Sequence, residues 1–148
     1  MSATAMTLSD LGLESPPRVR CQVDLNECGP GTADAVLAGQ FMFNGETHSL
    51  GAQFDWRRNP SADREWLILL NKFYFAPALA VAWRDSGDAR YLARWIELTT
   101  SWIESGMESG FIAADVTGRR VQNWCIAFHA ARQGPAPLPG RFVREFLV

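Results

Sequence analysis

The sequence predicts a mainly α-helical fold: a partial α/α toroid of antiparallel helical hairpins, with a short N-terminal β element. Three observations predict it. Apolar residues recur at the three-and-four spacing that gathers them on one helix face. The order helix, short break, helix repeats at similar intervals, as in solenoids and toroids where each hairpin buries its stripe against a neighbour. Between two short runs of alternating side chains lies Asn44-Gly45, a strong tight-turn signal. A globular bundle of four helices is the simpler alternative. The 148 residues suit one domain or a piece of a larger protein. Residues 1–39 read as an irregular arm, and 40–148 as the partial toroid domain, cut off inside its last helix.

Each element has its own justification. The first stretch carries Pro16-Pro17 and "CGPGTAD" and has weak periodicity. It is no phosphate loop, because no Gly-Lys-Ser/Thr follows the glycines. The β element falls around Phe41–Phe43 and Thr47–Leu50. A loop, "FDWRRNPSADREW", follows, and Ser61 or Asp63 is placed to cap a helix by accepting from its free N–H groups. The first long helix is expected over about Ala62–Asp85, with Trp66, Leu69, Leu70, Phe73, Pro77, Ala80 and Val81 on one face. Pro77 removes a backbone donor and clashes one turn back, which predicts a kink near Phe73. Gly87 suits the left-handed position after that helix, and Asp88 caps the next, expected over Ala89–Ser105. A third helix spans about Val116–Arg132, and "RFVREFLV" begins a fourth after the proline-rich "QGPAPLPG".

Composition limits the partners. Hydrophobic residues make up 47% and charged residues 20% of the chain, the balance of a globular protein. The net charge of −2 gives no global attraction to nucleic acid or anionic membranes. Arg57-Arg58 and Arg119-Arg120 are the local basic pairs. The longest apolar run, broken by Asn71, Lys72 and Pro77, falls short of the roughly 20 apolar residues that a membrane span needs. No basic start followed by an apolar run marks a signal peptide. Cys21, Cys28 and Cys125 lack the spacing of a zinc site, so no metal and no cofactor is expected. A Cys21–Cys28 bridge would require an oxidising compartment.

Catalytic constellations are thin. Neither His48 nor His129 has a serine or cysteine beside it in a nucleophile context, and no Gly-x-Ser-x-Gly occurs. Asp55, Asp63, Glu65, Glu97 and Asp115 have no spacing that demands a pair. Asn71 and Asn123 stand out because each interrupts an apolar helix, where a buried amide costs free energy unless it is hydrogen-bonded. They either bond neighbouring backbone or face a groove and meet a polar ligand. Arg120 lies one turn before Asn123, and its planar fork grips a carboxylate or sulfate at two points. Asn71, Arg120 and Asn123 are therefore the candidate substrate-binding residues. Trp56, Trp66 and Trp124 are expected to pack rather than to stack on ligand.

The ordered set "FMFNGETHSLG", "FDWRRNP", "EWLILLNKFYFAPALAVAWRDSGDARYLARWIELTTSWIES" and "GRRVQNWCIAFHA" resembles the N-terminal helical domain of heparinase II/III-like polysaccharide lyases. The resemblance covers roughly Gln40–Ala131. It departs from the pattern at Lys72, where an arginine is more usual, and in the short "ESGMESGFIAAD". It implies an incomplete α/α toroid followed by β-sandwich domains, acting outside the cytoplasm on acidic polysaccharides such as heparan sulfate or alginate by β-elimination. It carries over no catalytic residue, since the family's asparagine, tyrosine and histidines lie beyond the matched segment. The expectation is thus the N-terminal portion of a lyase, inactive alone. A truncated toroid would also leave an apolar helix face open to self-association. The alternative is a non-enzymatic helical module that binds a glycan or a protein.

Overall fold

A computed structural model describes residues 30–51 and 54–147. Cys21, Cys28 and most of the expected N-terminal arm lie outside the described residues. The described chain is mainly helical, with a two-stranded antiparallel sheet. Its order is α1 (Pro30–Leu37), β1 (Gln40–Phe43), β2 (Glu46–Ser49), α2 (Arg64–Asn71), α3 (Ala76–Ser86), α4 (Ala89–Ser105), a 3-10 turn (Gly106–Ser109), α5 (Ala114–Ala131) and α6 (Gly140–Leu147).

Helix α1 falls where the sequence reading extends an irregular arm. Its short stripe buries Ala33 and Val36 against the core, and Asp34 accepts a hydrogen bond from the Tyr91 hydroxyl on α4. Tertiary contact outweighs the weak local periodicity there. The hairpin forms as the turn signal requires. Asn44 and Gly45 both have positive φ, 50° and 78°, the backbone of the two-residue turn whose twist matches paired strands. Phe43 then pairs with Glu46, Phe41 with His48 and Gln40 with Ser49.

The expected single helix over 62–85 is two helices, bent by 45°. Asp63 caps α2 by accepting from Glu65 N at 2.9 Å, and Ser61 supports it by accepting from Asp63 N. Helix α2 stops at Asn71, and Phe73 takes a left-handed φ of 59°. Pro77 does not kink a continuous helix. It sits in the first turn of α3, where a missing N–H breaks no helical bond. Helix α3 is buried along Ala76–Val81, packing on α4 and α5, with α1 across it. Gly87 ends α3 at φ 71°, and Asp88 caps α4 by accepting from Arg90 N. Gly106 ends α4 directly against the Trp102 ring, where a Cβ would come within 2.4 Å of it. Helix α6 lays Phe142, Val143 and Phe146 on the rest, with Phe142 edge-on to Trp95 of α4.

Aromatic packing joins these elements. Phe73 stacks on Trp56 at 5.1 Å and meets Trp124 and Trp102 edge-on. Trp56 and Trp66 are fully buried and Trp124 is partly buried, each against other rings. No single helix among the described residues is long and apolar enough to cross a membrane.

Candidate functional site

The three polar residues singled out from the sequence come together at the α2–α3 break. Asn71 is 0% exposed, Arg120 3% and Asn123 4%. Where α2 ends, its last carbonyls are partly satisfied in tight-turn fashion: Lys72 N is shared between Ile68 O and Leu69 O, and Phe73 N bonds Leu70 O. The carbonyls of Asn71 and Lys72 have no helical partner because the chain turns away. Helix α5 supplies both. Arg120 Nη1 donates to Asn71 O at 3.1 Å, and Asn123 Nδ2 donates to Lys72 O at 2.8 Å. Residues 120 and 123 lie one turn apart, so a single face of α5 serves both carbonyls.

The Asn71 side chain ties the break to two other elements. Its Nδ2 donates to Trp56 O at 3.2 Å and to Leu67 O at 3.0 Å, while its Oδ1 accepts from Trp102 Nε1 at 3.0 Å. Arg120 also reaches Phe111 O and Thr117 Oγ1, and its guanidinium lies over the Trp102 ring, 3.6 Å from the centroid. Burial pushes its pKa down to about 10, still far above neutral pH, so it remains a buried cation held by carbonyl dipoles and a π face. Lys72, the departure noted in the sequence, turns outward to Asp115 at 3.6 Å.

A second polar group lies at the head of α2. Ser61 Oγ donates to Glu46 Oε2 at 2.6 Å, and His48 Nε2 lies 3.1 Å from that same oxygen. Asn44 Nδ2 donates to Asp63, and Asn59 Nδ2 donates to Asp63 O. The hydroxyl therefore points at a carboxylate and not at the imidazole, so this is turn and cap structure rather than a serine–histidine nucleophile. His129 meets Gln133, and Tyr74 lies beneath the Arg119 guanidinium. Among the described residues no group of three His, Cys, Asp or Glu side chains is placed to hold a metal.

The family described as heparinase II/III N-terminus matches residues 15–130. The chain belongs to that family. No curated protein and no solved structure matches it. The heparinase II/III assignment spans every element from α1 to nearly the end of α5, including the break and its polar trio.

Sequence reasoning missed one further feature of this heparinase II/III N-terminal domain. A groove of about 780 Å³ runs between α1, β1 and the α2–α3 segment. Val36, Phe41, Leu69, Tyr74 and Phe75 form its walls, with Gln40, Met42 and Asn44 along one side. No described residue lining it is charged. The only sequence signal was the exposed strand position Met42, and reading it required knowing that α1 is a helix.

Proposed function

We propose that the chain is the N-terminal helical portion of a polysaccharide lyase that cleaves uronic-acid-containing acidic polysaccharides by β-elimination. The observation that carries this reading is the family match over residues 15–130. The hairpin of α3 and α4, with α5 packed on α3, is the arrangement from which a partial α/α toroid is built. In such a reaction a base removes the proton beside the uronate carboxylate, whose charge must be neutralised, and an acid protonates the leaving oxygen. Among the described residues the tyrosines and His48 do not assemble that set. His48 and Tyr91 are engaged with carboxylates, and Tyr74 is covered by Arg119. The domain then contributes scaffold and wall, inactive alone. Asn71, Arg120 and Asn123 serve that scaffold by fixing the shape of the α2–α3 break.

The test compares the 148-residue chain with the product of the complete reading frame. Each is incubated with heparan sulfate, chondroitin and alginate, and the absorbance of unsaturated uronate is followed. Product from the complete protein and none from the chain alone is the expected outcome. Absence of product from the complete protein on all three substrates defeats the lyase reading, and turnover by the chain alone defeats the scaffold role. The other sequence-based reading, a non-enzymatic binding module, draws on a different surface, the groove beside β1.

A further inference from the structure

The groove beside β1 follows a strand edge. Five consecutive residues, Gln40 to Asn44, line it along the length of the strand, and Thr47, the β2 partner of Met42, adds one position beside them. Strand β1 pairs with β2 on one side, and among the described residues no strand pairs with its other side. The hydrogen-bond phase identifies which backbone groups are left. In an antiparallel pair, residues alternate between bonding the partner and turning away from it. Leu50 N donates to Gly39 O at 2.8 Å, so Gly39, Phe41 and Phe43 face β2. Gln40 and Met42 therefore direct their N–H and C=O groups to the free edge, about 7 Å apart, as every second residue of a strand is. Their side chains are exposed, Met42 at 67%.

We infer that this groove binds an extended peptide segment of a partner protein, which adds to the β1 edge as a third strand. Three features select that occupant. The donors and acceptors that no described strand pairs have the spacing of a β backbone, and an exposed edge is the usual template for strand addition. Helix α1 lines the opposite side with Thr32, Ala35 and Val36, so a second folded copy presenting its own hairpin would meet that helix, whereas a lone extended segment brings no other element with it. The absence of charge in the lining selects uncharged side chains at alternate positions, seated toward Leu69 and Phe75. This inference stands apart from the polysaccharide reading, and its test reads binding at the β1 edge rather than turnover of a polysaccharide.

The probe is the capped peptide acetyl-Thr-Val-Thr-Val-Thr-amide, titrated into the isotope-labelled full chain. Amide NMR signals of Gln40 and Met42 should shift together, and their hydrogen exchange should slow by about tenfold or more at saturation. Ala35→Arg, a half-buried wall position on α1, fills the groove and should abolish both effects while leaving the fold's spectrum intact. Met42→Pro removes one edge donor without touching a β1–β2 bond and should weaken binding. If that variant unfolds, Ala35→Arg still decides. Four results overturn the inference: no shift with the peptide, undiminished binding to Ala35→Arg, the same shifts with an alginate oligosaccharide, or protection of both amides in the chain alone. The third assigns the groove to a glycan, and the fourth means the edge is already paired.

Discussion

Two regions of the molecule are held by polar side chains, and water separates their roles. At the α2–α3 break, Asn71, Arg120 and Asn123 are buried and bond backbone carbonyls, two of them at the end of α2. At the head of α2, Glu46, Ser61 and Asp63 form an equally dense set of bonds, but in contact with solvent. Removing a partner in the first region strands a buried group, which costs its full desolvation. Removing one in the second lets water take its place. The buried set therefore decides where a helix ends, and the exposed set only trims an end already made.

The largest effect that would break this contrast is at Asn71. Asn71→Leu has suitable volume and better helix propensity, yet it leaves Trp102 Nε1 and Trp56 O without their partner. A loss of about 3–5 kcal/mol in urea unfolding is expected. A neutral or stabilised variant would show that the break is dictated by the apolar packing of Phe73 instead.

Arg120→Met comes next. It keeps an unbranched side chain over Trp102 and relieves the burial of a cation, but it frees Asn71 O and Phe111 O. The two effects oppose each other, and a net loss of about 2 kcal/mol is expected. Asn123→Ala removes the donor to Lys72 O alone and should cost about 1–2 kcal/mol. Both residues serve one helix end, so the double variant should be non-additive by about 0.5 kcal/mol or more in a double-mutant cycle. Strict additivity would mean that the two carbonyls are capped independently and that the break is not one unit.

The legible part of this fold was what local chemistry fixes. Asn44-Gly45 demanded its turn, Gly87 and Asp88 marked the α3–α4 joint, and the stripe of α4 set its limits at Ala89 and Ser105. The length of the helix after Asp63 was not legible. The rule for Pro77 foretold a kink, while the carbonyls at the actual stop are met by donors on α5, about fifty residues away, and no periodicity reports a bond of that span. Helix α1 was hidden for a similar reason: its stripe is two turns long and gains its stability from α3. The sequence did single out the residues of the break, because an asparagine in an apolar helix must be satisfied. It left open whether a ligand or the chain itself would do so.

The smallest effect sharpens the exposed half of the comparison. The hydrogen bond from Glu65 N, and after it that from Asn44, hold the Asp63 carboxyl below its ordinary value of 3.8. The hydrogen bond from Ser61, followed by that with His48, holds Glu46 below 4.5. The folded chain thus binds fewer protons than the unfolded chain in the acid range. The stabilisation is complete above those ordinary values and is lost as the pH falls through the lowered folded ones. Asp63→Asn still accepts the cap bond but cannot titrate, so it should be slightly less stable than the parent at pH 7. Below about pH 4 that difference should close, because the parent loses its charge there and the variant does not. Urea midpoints of both proteins between pH 7 and pH 3 measure it. A gap that persists undiminished at pH 3 would mean that Asp63 acts through hydrogen-bond geometry alone, and the exposed cluster would then resemble the buried break more closely than its contact with water implies.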